Sequence, residues 1–355
     1  MPSKRRHLDI SEKKFLAQQL QVLALQGIMR ARRWSDSEIR FQGGTCLNLV
    51  HDTGRFSEDI DFLVSTQKGF DRIMSSAKSW LTSSLAGSND PGVIEMKVRG
   101  EMMDDDPRNP RMATFTYKHP DYLEAIHVKV EFFVANIDVV DAYQYQKMPL
   151  RPLRSNVTVT IRAEDPELRS IPSATLNELW VDKVHAIATR PYTKYRDFYD
   201  LWWLEDSIRP SNRDAVQAER AEHIRKVIDG RLQMYPHEGG LPALVTKLAK
   251  RIDDLAKPEI LKGATTDIQR WVLRGDLEEL CRDEKWMAKL LGTCITQLKA
   301  AHQALSDECK SAPPQAPQKR ATAKPLSKPL VTARSAYLPQ APVDAPDEEE
   351  SSPAP

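Results

Sequence analysis

The stretch R55-F-S-E-D-I-D-F-L-V64 reads as a strand, yet it carries two aspartates, Asp59 and Asp61, in the middle of its apolar run. Acidic residues are depleted from strands, and burying an unpaired carboxylate is costly. Residues i and i+2 of a strand project to the same face, so the two carboxylates point together, with Cα atoms roughly 7 Å apart. Ile60 and Phe62 point the other way, into a core. Two carboxylates this close raise one another's pKa unless a cation lies between them. A divalent ion resolves the conflict, and hard carboxylate oxygens suit magnesium or manganese. Taken alone, the same pair equally suits a half-exposed strand whose outer face is simply acidic.

Upstream lies Gly43-Gly44-Thr45, at the start of a short apolar helix running toward His51. Two glycines let the backbone approach an anion, free N–H groups at a helix start favour phosphate, and Thr45 offers a hydroxyl. A plain capping turn has the same composition. The combination of a Gly-Gly-Thr bend and a following Asp-x-Asp strand sets a phosphate cradle beside a metal site, which chemistry on a nucleoside triphosphate requires. A third carboxylate is Glu131, in His127-Val128-Lys129-Val130-Glu131-Phe132-Phe133. Alternation puts His127, Lys129, Glu131 and Phe133 on one face. Glu131 then either joins the aspartates from a neighbouring strand or pairs with Lys129 toward solvent.

The rest of the chain frames this centre. With 355 residues it is long enough for two domains. Fifty-one basic and 50 acidic residues leave a net charge of +1, which excludes nucleic-acid binding driven by overall charge but not a local basic face. No run approaches the roughly 20 apolar residues of a membrane span, and the basic N-terminus has no apolar segment behind it, so no signal peptide is expected. Cys46, Cys281, Cys294 and Cys309 are far apart, as befits reduced thiols in a cytoplasmic protein.

Periodicity predicts helices over 11–33, capped by Ser11, and 70–86. Strands are predicted over 93–99, 112–118 and 125–134, with 157–163 as an added edge strand. Beyond residue 165 the pattern is helical: 175–190, 195–205, 213–233, 241–256 and 267–305, the last interrupted near Gly275 and Gly292. From 311 the chain turns to proline, alanine, serine and lysine, too polar to offset its ordering entropy. The predicted division is a mixed α/β core at 1–165, a helical domain at 166–310 and a disordered tail at 311–355.

A second set of residues lies in the helical half. Thr175 and Glu178 form a capping-box pattern, and Leu176, Trp180, Val184 and Ile187 make one apolar stripe. Lys183 lies at its margin, where it can snorkel into a cleft or stay on the surface. In Arg196-Asp197-Phe198-Tyr199-Asp200-Leu201, Asp197 reads as functional and Asp200 as support. Tyr192 and Tyr195, in the connecting loop, are the better base-stacking candidates. The basic run KLAKR at 247–251 reads as a solvated face.

Gly43-Gly44-Thr45 with Arg55-Phe56-Ser57-Glu58-Asp59-Ile60-Asp61-Phe62, followed by Asp182-Lys183-Val184-His185-Ala186 and Arg196-Asp197-Phe198-Tyr199-Asp200-Leu201, resembles the AbiEii/AbiGii toxins over about residues 10–205. The resemblance implies an α+β, polymerase-β-like nucleotidyltransferase domain followed by helices. It implies transfer of a nucleoside monophosphate from an NTP to an acceptor hydroxyl, the tRNA 3′ end in some members, within a toxin–antitoxin or phage-defence pair. Residue by residue, it implies that Gly43, Gly44, Thr45 and Ser57 hold the nucleotide and that Asp59 and Asp61 bind magnesium or manganese, with Glu131 a looser third ligand. Lys183 would neutralise the triphosphate, and Asp197 would be the second acid. A cognate antitoxin and an RNA acceptor are the implied partners. A small-molecule- or protein-modifying transferase, a non-catalytic nucleotide-binding module and a kinase-like enzyme are the alternatives.

Overall fold

In the computed structural model, residues 5–99, 110–151, 159–162, 170–234, 239–272 and 279–311 are described. The tail from 312, the acidic loop at Asp104–Asp106 and residues 157, 158 and 163 of the expected strand at 157–163 lie outside them; its described residues, Val159–Arg162, are not in a strand.

The strands are β1 (Ile39–Gln42), β2 (Asp59–Val64), β3 (Val93–Arg99), β4 (Arg111–Lys118), β5 (Ile126–Val134), β6 (Tyr145–Met148) and β7 (Ile171–Ala174). They form one mixed sheet in the order β3-β4-β5-β2-β1-β7-β6. β2 runs parallel to β5 and antiparallel to β1, and β1 is parallel to β7. The sheet therefore includes a strand beyond residue 165. Around it lie α1 (Ile10–Ala31), α2 (Gly43–Leu49), α3 (Phe70–Gly87) and α4 (Ile137–Ala142). The helices α5 (Leu176–Thr189), α6 (Tyr195–Asp206), α7 (Arg213–Met234), α8 (Gly240–Leu255), α9 (Pro258–Trp271) and α10 (Glu284–Ser311) follow. The class is α+β, as the sequence implies, and Met1–Ala312 make one compact unit.

Alternation along the central strands builds the core. Ile60, Phe62, Val128, Val130 and Phe132 are at most 1% exposed, and the rings of Phe62 and Phe70 both meet Phe132 edge-on. Each such buried side chain contributes on the order of 2 kcal/mol. The opposite face of β2 and β5 is left for polar residues. Of the stripe on α5, Trp180, Val184 and Ile187 are buried, at 2%, 2% and 5% exposed, while Leu176 in the first turn is half-buried.

Local signals misplace three features. The cap of α1 is Asp9, not Ser11: its carboxylate accepts from the Glu12 N–H, and the Glu12 carboxylate accepts from the Asp9 N–H, a closed reciprocal pair that Ser11 cannot form. The helical pattern at 267–305, expected to break near Gly275 and Gly292, is two helices, α9 ending at Trp271 and α10 starting at Glu284, on either side of Gly275. α9 starts earlier than expected, at Pro258, a first-turn residue that needs no N–H partner, and Gly292 sits inside an uninterrupted α10. The strand expected from Arg55 begins at Asp59. Arg55 instead bridges Val272, the Phe56 N–H donates to the Trp271 carbonyl, and the Ser57 carbonyl accepts from Gln21 Nε2.

Candidate active site

The two aspartates project from β2 into a cleft of about 310 Å³, between the sheet and the α5–α6 pair. Parallel pairing with β5 sets Lys129 abreast of Asp59 and Glu131 abreast of Asp61. All three carboxylates line one wall, and the adjoining rim is Gln42, Gly43 and Gly44. The two placements weighed for Glu131 turn out not to exclude each other, though it faces the cleft rather than open solvent. It stands beside the aspartates, and it pairs with Lys129 at 2.9 Å, while the same ammonium lies 3.2 Å from Asp59.

Asp61 forms no ion pair within 4 Å among the described residues. Its carboxyl is pushed up to about 8 by burial, then by the charges of Glu131 and Asp59. The acidic wall is thus short of positive charge at Asp61. Oxygen donors under mutual repulsion fit magnesium or manganese. Among the described residues no three acidic, histidine or cysteine side chains close a cage around an ion. Magnesium does not need one, because it usually takes one or two carboxylates and completes its shell with water and substrate phosphate.

The Gly-Gly-Thr bend is built for packing as much as for a ligand. Gly43 has φ +78°, and a Cβ there would collide with Asp61 Oδ2. A Cβ on Gly44 would meet the Arg55 guanidinium and Ser57 Oγ, each at 2.7 Å. Both glycines bring the bend against the acidic strand. Thr45 does not reach the cleft: it is fully buried, and its hydroxyl donates to the Asp59 carbonyl, pinning α2 to β2. Ser57 lines the cleft and is 6% exposed.

The opposite wall comes from α5 and α6. Lys183 Nζ lies 2.9 Å from Asp197 and 2.7 Å from Asp200, and Asp197 also pairs with Arg190. Asp200 is fully buried and takes both nitrogens of the Arg55 fork. Burial alone would raise both aspartates, but Lys183 and Arg190 outweigh it at Asp197, and Arg55 and Lys183 at Asp200, holding each below the usual carboxylate range. Asp200 therefore ties the first motif to the second through Arg55, 145 residues away in sequence. Asp197 lines the cleft; Asp200 stands behind it.

Sequence reasoning missed Lys194 and Arg196. Both line the cleft, and neither has a carboxylate within 4 Å among the described residues. Arg196 lies 4.4 Å over the ring of Trp271. Burial, then Arg190 and Arg196, lower Lys194 to about 8. The usable signal was the density of cations at 190, 194 and 196, from the end of the lysine helix to the first turn of α6. Arg251, expected on a solvated face, holds that loop: it donates to the carbonyls of Ile187 at 3.1 Å and Arg190 at 2.8 Å and to Thr193 at 3.2 Å. Of the two tyrosines, Tyr195 packs toward α9, where its hydroxyl takes the space a Cβ on Gly263 would fill. Tyr192 stays 58% exposed.

A search of curated proteins returns no match. Among solved structures, MenT4, a nucleotidyltransferase toxin from Mycobacterium tuberculosis, is similar at 15% identity and TM-score 0.47, covering 85% of this chain and 94% of that one. JHP933 from Helicobacter pylori is similar at 18% identity and TM-score 0.40, covering 82% and 94%. Family membership rests on sequence, not on these likenesses. Residues 28–286 match the family described as "Nucleotidyl transferase AbiEii toxin, Type IV TA system", a span that contains both motifs and both walls of the cleft. The chain therefore belongs to the AbiEii family of nucleotidyltransferase toxins of type IV toxin–antitoxin systems.

Proposed function

We propose that this enzyme moves a nucleoside monophosphate from an NTP to a terminal RNA hydroxyl, the tRNA 3′ end, in the cytoplasm, as the toxin of a phage-defence pair whose partner is a cognate antitoxin. The observation that carries the reading is the opposition of two walls across one cleft. Asp59 and Asp61 face Lys194 and Arg196, with Lys183 and Arg190, both paired to Asp197, on the same wall.

The acceptor hydroxyl attacks the α-phosphorus, a new P–O bond forms, and the bond to the β-phosphate oxygen breaks to release pyrophosphate. A divalent cation, held by Asp59 and Asp61, would supply charge neutralisation at the reacting phosphate. Lys194 and Arg196 hold the triphosphate and offset charge on the leaving pyrophosphate. Lys183 is a weaker phosphate ligand than sequence alone suggests, since two carboxylates already engage it; it positions Asp197 and takes charge as the nucleotide enters. The backbone at Gly43 and Gly44, beside Ser57, borders the phosphates, and fixed placement of both reactants supplies much of the rate. The acceptor proton leaves to the acidic wall.

Incubation of the full chain with α-labelled NTPs and total cell RNA tests this. Label at the 3′ end of tRNA, lost in Asp59→Ala with folding intact, is the expected result. Label on protein or small molecules, or transfer of γ-label, would replace the reading.

A further inference from the structure

Four charged side chains occupy one face where β2 and β5 pair: Asp59 beside Lys129, and Asp61 beside Glu131. The Lys129 ammonium spans the diagonal, at 3.2 Å from Asp59 and 2.9 Å from Glu131. An ion bridging those two carboxylates would need the same volume. Two-ion centres place their metals about 3.5–4 Å apart on shared carboxylates. Here the chain sets a cation of its own, the Lys129 ammonium, between two of the carboxylates. The demand that remains lies at Asp61, which lacks an ion pair within 4 Å among the described residues. Of the two carboxylates that share Lys129, Glu131 is the nearer, at 2.9 Å against 3.2 Å, and the less exposed, at 14% against 28% for the side chains.

We propose that Lys129 takes the place of a second metal ion, so that the centre binds one divalent cation per nucleotide, through Asp59 and Asp61, and Glu131 stays out of the coordination. The proposal rests on the nucleotidyltransferase reading of the cleft. It makes Lys129 a positioning residue: it fixes the spread of the acidic wall and sets the ion count. Without the ammonium, Asp59 and Glu131 face each other across an open, doubly negative gap, and a second hard cation fills it.

The test is a count of manganese bound to the full chain with a non-hydrolysable α,β-methylene NTP, read by the loss of free-ion signal in electron paramagnetic resonance. Wild type is expected to hold one ion per bound nucleotide, and Lys129→Met two. Lys129→Arg, which keeps the charge, should return to one, and Glu131→Gln in the wild-type background should leave the count at one. Two ions in wild type would overturn the proposal while leaving the enzymatic reading intact. So would a single ion in a Lys129→Met chain whose circular dichroism matches wild type. A wild-type chain that binds no manganese–nucleotide at all would overturn the enzymatic reading, and this proposal with it.

Discussion

Replacing Asp61 by asparagine should make the metal-free protein more stable while abolishing transfer. The carboxyl of Asp61 titrates near 8 in the folded chain, against 3.8 as its ordinary value. A group with a raised folded pKa contributes stability that is fully present below its unfolded pKa and lost as pH rises toward the folded one. At pH 7 the chain therefore forgoes, as a ceiling, about 3 units at 1.36 kcal/mol each, or about 4 kcal/mol. Asp61 keeps part of its surface at the cleft, and water there screens the charges, so roughly half of this, about 2 kcal/mol, is expected. Asparagine cannot ionise and removes the penalty. The measurement is urea unfolding of both chains in EDTA, at pH 8 and pH 5, with transfer from α-labelled NTP assayed in parallel. The variant should gain about 2.5 kcal/mol at pH 8, where the ceiling rises to about 5 kcal/mol, and under about 1 kcal/mol at pH 5. A gain equal at both pH values, or a loss of stability at pH 8 with unchanged denaturant slope, would refute the electrostatic origin of the shift.

Asp200→Ala strands the buried Arg55 fork, so unfolding should show a loss of about 3–5 kcal/mol, whereas Asp59→Ala, at a partly exposed carboxylate, should cost under about 1 kcal/mol. Equal effects would show that Asp200 is not the tie between the motifs. Lys194→Ala should raise the KM for NTP about tenfold with little change in stability, since one charge-assisted contact of about 1.4 kcal/mol is lost. Because Lys194 loses its proton near pH 8, wild-type KM should climb above that pH while the variant's stays flat; parallel profiles would remove Lys194 from phosphate binding.

Much of the fold was legible because its signals are local. The apolar alternation of 93–99 and 126–134 specifies strands, since burial on one face requires period two. Asp59 and Asp61 had to share a face for the same reason. Short segments were not legible. Ile39–Gln42 and Ile171–Ala174 are four residues each, too few for a pattern, and they are strands because neighbours in the sheet supply their hydrogen bonds. Thr45 misled because a hydroxyl at a helix start suits a phosphate and a carbonyl alike, and only packing against β2 chooses the carbonyl.

The amino-acid order alone determined which chemical groups the chain owns and which face of each strand and helix they occupy, because backbone geometry converts spacing into direction. It also carried the family, through two motifs more than a hundred residues apart. Which charges meet was decided only by the tertiary structure. The register of β2 on β5 put Lys129 between two carboxylates, and the docking of α6 gave Arg55 to Asp200 and left Lys194 facing the cleft. Ion pairing depends on separations of a few ångströms between residues distant in sequence, and no periodicity within either segment encodes that distance.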